Sequence, residues 1–287
     1  MHEKPGRKQA AEVPLPLAVE ASLERKNGHR NGSHNHKDEP QALQDDTRGY
    51  HGQPLIRLRK VVKKYISGSV ETVALKGIDL DVYPGEFLTV IGKSGAGKTT
   101  LMNVITGVDN LTSGEIWFED TPVHALDENR RALWRGRNLG IIYQSFHLVP
   151  NLSLLDNVML PMDFTGRYHP RISRERALEL LEQVELGEHA YKLPAAISGG
   201  QQQRVAIARA LVNDPAVIVA DEPTGRLDSG TAETIFQIFS GLIQEGKTIL
   251  MVTHDTGMTR RVTRTLRITD GEISSNGDAV QQELAHY

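Results

Sequence analysis

Residues 92–99, Gly-Lys-Ser-Gly-Ala-Gly-Lys-Thr, have the types and spacing of a loop that holds nucleotide phosphates. Gly92 and Gly97 allow a tight turn that points successive backbone N–H groups inward. Lys98 places an ammonium against the β- and γ-phosphates, and the Thr99 hydroxyl is suited to bind Mg²⁺. The alternative is a glycine-rich turn with a stray lysine. We predict phosphate binding by Gly92, Lys93, Ser94, Gly95, Ala96, Gly97, Lys98, Thr99 and Thr100.

Two carboxylates follow an apolar run later in the chain. Ala216-Val-Ile-Val-Ala220 leads directly into Asp221 and Glu222. An apolar strand is a poor place to bury charge, so both carboxylates should face a ligand. We assign Asp221 to a Mg²⁺ site, through water, and Glu222 to the attacking water as general base, a role worth roughly 10²–10⁴ in rate. A solvated strand end is the alternative.

A second anion site is indicated at Ser198-Gly-Gly-Gln201. Ser198 can cap the helix that follows, and Gly199 and Gly200 leave the first helical N–H groups accessible. An ordinary capped helix is the alternative interpretation of this segment.

The elements that must position these residues alternate between strands and helices. The phosphate loop lies between a short apolar strand at 86–92 and a helix that starts at Thr100. The runs 216–221 and 248–254 are continuous, as is typical of parallel strands covered on both faces. A helix at 231–244 would join them by a right-handed crossover. Because the carboxyl ends of such strands face the ligand crevice, the candidate residues should meet there.

Other short strands indicate a second, antiparallel sheet. They are predicted at 55–62, 74–82 and 114–118, close together in the chain. A hairpin is predicted at 265–274, with Asp270-Gly271 as its turn.

The middle of the chain, about residues 145–197, is predicted to be helical. Apolar residues recur at helical spacing between 172 and 186. We predict Ser173 as the N-cap of this helix and Gly187 as the residue that stops it.

Composition excludes several classes of function. The chain has 287 residues, 39% of them hydrophobic, and a net charge of −3, so nothing favours nucleic acid as a partner. It has no cysteine, which excludes disulfides and thiolate chemistry and fits a reducing cytosol. Its apolar stretches are far shorter than the ~18 residues that span a bilayer. The N-terminus lacks the apolar region of a signal peptide. Any membrane role should therefore depend on a partner.

Residues 1–54 differ from the rest of the chain. This segment is polar and rich in Gly and Asn, so we predict a disordered N-terminal tail. His29, His34 and His36 could bind a transition metal weakly, and a solvated tail is the favoured alternative. Residues 276–287 are predicted to form a C-terminal tail.

The motifs, taken in order, resemble those of the nucleotide-binding subunit of an ABC transporter. They are 92–99, Gln144, 197–211, 216–223, Leu227-Asp228 and His254. The resemblance covers about residues 55–275, the predicted ATPase domain. Within the family, the segments 140–150, 156–161 and 221–229 are most similar to the lipoprotein-release, macrolide-export and cell-division group.

The resemblance implies an α/β fold: a P-loop NTPase core with a mainly parallel sheet, a small antiparallel β subdomain and a helical subdomain. It implies ATP and Mg²⁺ as cofactors and a homodimer of ATPase subunits. It also implies an integral membrane permease as partner, with this chain held by it at the cytoplasmic face of the cell membrane.

The resemblance also implies roles for residues near a dimer interface. Ser198, Gly199, Gly200 and Gln201 would contact the γ-phosphate of ATP held by the opposite subunit. Asp228 would lie in the loop that crosses the interface. Two residues depart from the family pattern: Ile197 replaces the usual Leu, and Arg226 adds a cation near the interface whose effect on closure stays open.

Three more roles follow from the resemblance, each with an alternative. Gln144 would sense Mg²⁺ and the attacking water, but could be an ordinary loop residue. His254 would hold the γ-phosphate, but could be a satisfied core histidine. Tyr65 would stack on adenine, but could be a core aromatic. The apolar residues after Gln144 belong either to the core or to a surface for a membrane helix; they are Phe146, Leu148, Val149, Leu154 and Leu155.

The predicted function is ATP hydrolysis that drives a separate membrane protein for export or extraction of a substrate. The alternative is an ATP-driven regulator of a membrane-bound enzyme, as in the cell-division relatives. A soluble ATPase of DNA repair or translation would need a long coiled-coil insertion or a second phosphate loop, and neither is present. A nucleotide kinase has no use for Ser198–Gln201.

Overall fold

The computed structural model describes residues 52–255 and 261–274, all within the unit Leu43–Tyr287. Nearly all of the predicted N-terminal tail, with His29, His34 and His36, lies outside the described residues, as do residues 276–287. In the two described ranges, no helix combines the length and the apolar character needed to cross a bilayer.

The strands and helices appear in the following order. The strands are β1 (Ile56–Ser67), β2 (Val70–Val82), β3 (Phe87–Ile91), β4 (Ser113–Phe118), β5 (Thr121–Pro122), β6 (Leu139–Ile142), β7 (Val217–Asp221), β8 (Thr248–Thr253), β9 (Arg264–Thr269) and β10 (Glu272–Ser274). The α-helices are α1 (Lys98–Ile105), α2 (Glu128–Asn138), α3 (Leu154–Phe164), α4 (Pro170–Gln183), α5 (Gly199–Leu211) and α6 (Ser229–Gln244).

The larger sheet has the strand order β10-β9-β3-β8-β7-β6. Strands β9, β3, β8, β7 and β6 run parallel, and β10 pairs antiparallel with β9 as the predicted hairpin. Every residue of β3, β7 and β8 is buried. On β7, Val217 and Val219 pack into one apolar cluster and Ile218 and Ala220 into another. Burial on both faces explains why these strands lack polar alternation.

The smaller sheet is antiparallel, with the order β2-β1-β4-β5. It packs with α1 into the cluster that contains Val217 and Val219. The predicted second sheet is therefore confirmed, although β1 continues to Ser67, beyond the predicted end at residue 62.

The helices α3 and α4 lie within the predicted helical segment and pack with α5 and α6 into the cluster that contains Ile218. The predicted ends of α4 were wrong. Pro170 is the first helical residue, where its fixed φ fits and its missing N–H costs nothing, so His169 is the N-cap. Ser173 is buried inside the helix, and its Oγ accepts from the His169 N–H at 2.9 Å. Glu185, at φ 59°, follows the helix end before Gly187 is reached.

Helix α2 is an element that the sequence did not predict. It is mostly polar apart from Ala132, Leu133 and Trp134, and Arg131 and Trp134 are its buried residues. Its start is fixed by Asp127, which accepts from the Arg130 N–H at 2.9 Å. Because its three apolar residues are adjacent and do not recur at the spacing of a helix face, the sequence carries little apolar signal for this helix.

Candidate active site

The carboxyl ends of four neighbouring parallel strands carry the predicted chemistry. The phosphate loop follows β3, Gln144 follows β6, Asp221 ends β7 with Glu222 next to it, and His254 follows β8. A pocket of about 440 Å³ lies at this edge. It is lined by Ala74, Ser94, Gly95, Gly97, Lys98, Thr99, Thr100, Gln144, Asp221 and Glu222. The sheet thus brings together residues that are far apart in the chain.

Backbone geometry explains two glycines of the phosphate loop. Gly97 has φ 107°, which residues with a side chain rarely adopt. Gly92 lies so close to β9 that a Cβ would sit 2.5 Å from the Ile268 carbonyl oxygen. Lys98 is 7% exposed, and its ammonium donates to the carbonyls of Gly92 and Lys93 at 2.8 and 3.1 Å. The loop therefore holds the lysine at the first residue of α1, beside the pocket.

The β9–β10 hairpin supports this loop, a contact that sequence analysis missed. The Gly271 N–H donates to the Ala96 carbonyl at 3.0 Å, and the Gly271 carbonyl accepts from the Lys76 N–H at 2.9 Å. Ala74, on β2, also lines the pocket. The Asp-Gly turn gave the position of the hairpin in the chain but carried no information about its neighbours.

Thr99 and Asp221 place two oxygen atoms side by side, both of a kind that binds Mg²⁺. The Thr99 hydroxyl donates to Asp221 Oδ2 at 3.2 Å. Burial raises the pKa of Asp221, and the neighbouring Glu222 carboxylate raises it further, while the Thr99 hydrogen bond and Lys98 oppose the shift. A cation placed here would favour the ionised carboxylate. Within the described residues, no three His, Asp or Glu side chains converge on a metal site.

Glu222 is the residue on which the other predicted catalytic groups converge. Its Oε1 lies 3.1 Å from His254 Nδ1 and 3.9 Å from Lys98 Nζ, and its Oε2 accepts from Gln144 Nε2 at 3.0 Å. Its backbone has φ 45°, and its N–H donates to the Val252 carbonyl of β8 at 2.9 Å. A non-glycine residue with positive φ is strained, and such strain concentrates at functional sites. No residue pattern in the sequence indicates this conformation.

Tyr65 lies outside the set of residues that line this pocket. It is 41% exposed, which rules out an ordinary core position. Its hydroxyl donates to Asp109 Oδ2 at 2.8 Å, and Lys63 Nζ lies 4.7 Å from the ring centroid. Partial burial, with the Asp109 hydrogen bond, raises the pKa of Tyr65. Stacking on adenine stays a prediction.

Ser198–Gln201 is likewise separate from the pocket lining. Ser198 Oγ accepts from the Gln201 N–H, and Gln201 Oε1 accepts from the Ser198 N–H, so the predicted cap is confirmed as a reciprocal capping box. The loop before α6 is also exposed: Asp228 caps α6 through the Thr231 N–H at 3.0 Å. In the part of the chain that is described, the exposed Arg226 has no hydrogen bond or ion pair. Neither segment contributes to the pocket that the phosphate loop lines.

Gly200 lies against Thr231, at the start of α6, and a substitution can test whether this position requires a glycine. A Cβ at Gly200 would meet Thr231 Cγ2 at 2.4 Å. We expect Gly200→Ala to lower the free energy of unfolding by about 1–3 kcal/mol, the usual cost of overpacking. Adding Thr231→Ser, which removes the methyl group, should restore most of that loss in urea denaturation.

The control for this clash is Gly241→Ala on α6, where a Cβ meets no atom within 4 Å. It should be neutral or stabilising, because alanine favours a helix. A Gly200→Ala variant as stable as Gly241→Ala would contradict the contact.

The apolar residues after Gln144 divide between core and surface. Leu154 and Leu155 are fully buried, so neither is available for docking, whereas Phe146 and Leu148 are half-buried and Val149 is exposed. Leu154 and Leu155 are buried because the first turn of α3 packs against α4 and α5.

A wide groove of about 690 Å³ lies between α2, β6, α3 and α5. We call it the α2–α3 groove. Its lining includes Leu133, Ile141, Tyr143, Phe164 and Arg209, and Phe164 is 77% exposed. Tyr143, which lines the groove, directly precedes Gln144 in the chain. Sequence analysis missed it because α2 was not predicted.

Comparisons with known proteins agree with this geometry. Residues 75–225 match the family model described as "ABC transporter". An uncharacterized ABC transporter ATP-binding protein of Methanocaldococcus jannaschii is 44% identical over 219 residues, covering 76% of this chain and 97% of that protein. The lipoprotein-releasing system ATP-binding protein LolD of Xanthomonas campestris is 40% identical over 228 residues, covering 79% and 95%.

Two further comparisons concern a longer protein and a solved structure. The macrolide export ATP-binding/permease protein MacB of Syntrophobacter fumaroxidans is 45% identical over 228 residues. The match spans 79% of this chain but only 32% of that relative. The dimeric, post-hydrolysis structure of the ATP-binding cassette MJ0796 with ADP and Pi has a TM-score of 0.72 at 41% identity, covering 76% of this chain and 96% of that one.

Proposed function

This chain belongs to the ABC transporter family, whose ATP-binding cassettes hydrolyse ATP, and from that premise we propose that it drives a separate membrane protein for export or extraction of a substrate. The observation that carries the proposal is the convergence of Lys98, Gln144 and His254 on Glu222 beside the Thr99–Asp221 pair. This set combines phosphate binding, a general base and oxygen donors in one pocket.

The chemistry proposed for the pocket is an in-line attack of water on the γ-phosphorus of ATP. Lys98 and the loop N–H groups bind the phosphates. The water oxygen forms a bond to the γ-phosphorus while Glu222 accepts a proton from that water. The bond between the γ-phosphorus and the oxygen that leaves with ADP breaks. Gln144 orients the water, and His254 donates a hydrogen bond to the γ-phosphate. Both side chains already lie against Glu222.

We propose that Mg²⁺ is held by the Thr99 hydroxyl and, through a water molecule, by the Asp221 carboxylate. Gln144 would be the third residue of this metal site. When bound, Mg²⁺ neutralises charge on the β- and γ-phosphates. The chain's own part is to present these oxygens at the pocket that holds Lys98.

We propose that the functional unit is a homodimer with ATP shared between the copies. The support is the separation of Ser198–Gln201 from the pocket lining among the described residues. A helix N-terminus with accessible N–H groups attracts phosphate, and because this one lies outside the lining of the pocket that holds Lys98, we assign it to a nucleotide held by the second copy. The solved relative described above is dimeric. Hydrolysis would remove the shared anion and release the two copies.

The α2–α3 groove is the proposed docking surface for the membrane partner. It presents an exposed aromatic ring, Phe164, among apolar residues, and large exposed apolar surface usually marks an interface. Its position next to Gln144 would let a bound helix respond to the state of the nucleotide. Docking there would hold this chain against the cytoplasmic face of the membrane.

The experiment compares membrane attachment of three forms of the chain. Wild type and Ile172→Ser, which alters another exposed apolar residue, on α4, should sediment with membranes and show ATP hydrolysis stimulated by the co-purified membrane protein in liposomes. Phe164→Ser should lose both properties while its own ATPase rate stays within about twofold. Attachment of Phe164→Ser equal to wild type would contradict the groove, and a wild-type chain that never binds membranes would contradict the function.

A further inference from the structure

Arg209, near the end of α5, is a half-buried cation whose hydrogen bonds go to backbone. Its Nη1 donates to the His147 carbonyl at 2.6 Å and its Nη2 to the Phe146 carbonyl at 2.7 Å. Across residues 52–255 and 261–274 it has no carboxylate partner, and burial lowers the pKa of its guanidinium. Burying a charge is costly unless hydrogen bonds compensate. These two hydrogen bonds offset the cost of removing part of the guanidinium from water.

The two carbonyls lie in the loop that begins at Gln144. Two residues separate Gln144 from His147, which has φ 49° and whose ring lies 5.1 Å from the ring of Tyr143. The Phe146 ring comes within 3.8 Å of the position of a Cβ on Gly199, so the loop also lies against the start of α5. Arg209 thus fixes the backbone just after Gln144 to the helix that begins at Ser198.

The far end of the same loop is anchored independently. Asn157, buried on α3, accepts from the Val149 N–H at 2.7 Å and donates to the Val149 carbonyl at 3.1 Å. Asn157 holds the loop where it joins α3, and Arg209 holds it where it approaches Glu222. Losing the Arg209 contacts would free the end that carries Gln144 and leave the other end in place.

We propose that Arg209 is a positioning residue for ATP hydrolysis: by holding the carbonyls of Phe146 and His147, it fixes the loop that sets the Gln144 amide against Glu222. The inference rests on the role proposed for Gln144. Through its two hydrogen bonds, Arg209 connects α5, the helix that starts after Ser198, to the loop that carries Gln144. The competing explanation is that Arg209 only stabilises the fold.

Arg204 provides a matched control on the same helix. Its NH1 donates to the Val184 carbonyl and to Glu185 Oε2, both at 2.8 Å, at the end of α4. It too is an arginine that holds a backbone carbonyl, but it does not touch the Gln144 loop. Lysine at position 209 keeps the charge but cannot reproduce the two-pronged guanidinium geometry, whereas both hydrogen bonds of Arg204 come from a single nitrogen.

The test is a double-mutant cycle on the full chain. We expect R209K to lower kcat for ATP about tenfold with KM within about twofold, the pattern of a misplaced catalytic group. R204K should leave kcat within about twofold, with a melting temperature similar to that of R209K. In a Q144A background, R209K should lower kcat no further, because the two residues act through one loop. Hydrogen exchange in 144–150 should be faster in R209K than in R204K.

Several outcomes would overturn the inference. A kcat unchanged by R209K, a loss of kcat as large in R204K, or an equal further loss in the Q144A background would each assign Arg209 a purely structural role. An unchanged kcat in Q144A contradicts both this inference and the role proposed for Gln144. If R209K does not fold, R209Q, which keeps one donor to the carbonyls, replaces it in the same cycle.

Discussion

Glu222→Gln lowers kcat for ATP hydrolysis by about 10²–10⁴-fold and leaves nucleotide binding intact, if Glu222 is the general base. Glutamine keeps the size of the side chain and its contacts with Gln144 and His254, but it cannot accept the proton of the attacking water. The phosphate-binding groups, Lys98 and the loop N–H groups, are untouched. Steady-state ATPase measurements and equilibrium binding of ATP give the two quantities separately.

The same variant tests the shared-nucleotide dimer. With ATP bound and not hydrolysed, the two copies should stay together, so size exclusion with MgATP should give a stable dimer. Glu188→Gln, the same change at an exposed position in the helical segment, should behave as wild type in both assays. A Glu222→Gln chain that remains a monomer in saturating MgATP would contradict the dimer, and one that hydrolyses ATP within about tenfold of wild type would contradict the base.

Arg264→Met should lower the free energy of unfolding by about 3–5 kcal/mol, because it leaves a carboxylate buried without its cation. Glu86 is 0% exposed, and its Oε1 lies 2.6 Å from Arg264 Nε. Glu86 Oε2 accepts from the Tyr83 N–H at 2.8 Å, and Arg264 also donates to the Asp81 carbonyl. The pair therefore joins the end of β2 to the starts of β3 and β9. The melting temperature should fall by roughly 10 °C.

An exposed ion pair supplies the control for this prediction. Arg171 and Glu175 form a pair on α4 whose nitrogen and oxygen are 3.8 Å apart in solvent. Arg171→Met should cost at most about 0.5 kcal/mol. Adding Glu86→Gln to Arg264→Met should recover part of the loss, since it removes the unpaired charge. If Arg264→Met and Arg171→Met unfold at the same temperature, the buried pair does not stabilise the junction.

Features encoded by neighbouring residues were predicted well. The phosphate loop is one continuous motif, and its glycines, lysine and threonine specify local geometry. The strands β3, β7 and β8 are continuous apolar runs, and the Asp270-Gly271 turn specifies its hairpin. Because parallel strands align their carboxyl ends, the sequence also predicted that Asp221 and His254 would lie near Lys98.

Some local features were missed or wrong. Ser173 was predicted as a cap, but Pro170 starts the helix and Ser173 is buried inside it. Helix α2 has only three apolar residues, all adjacent, so neither it nor the α2–α3 groove was predicted from the sequence.

The sequence by itself determined the chemistry of this protein: a phosphate loop, two carboxylates and a capped glycine helix start are local patterns that physical chemistry restricts to few uses. Only the tertiary structure decided that Glu222 takes a positive φ and contacts three partners, that the β9–β10 hairpin supports the phosphate loop, and that Arg209 holds the Gln144 loop. The reason is that such contacts join residues dozens to more than a hundred positions apart. Their geometry depends on how whole elements pack, which no short stretch of sequence records.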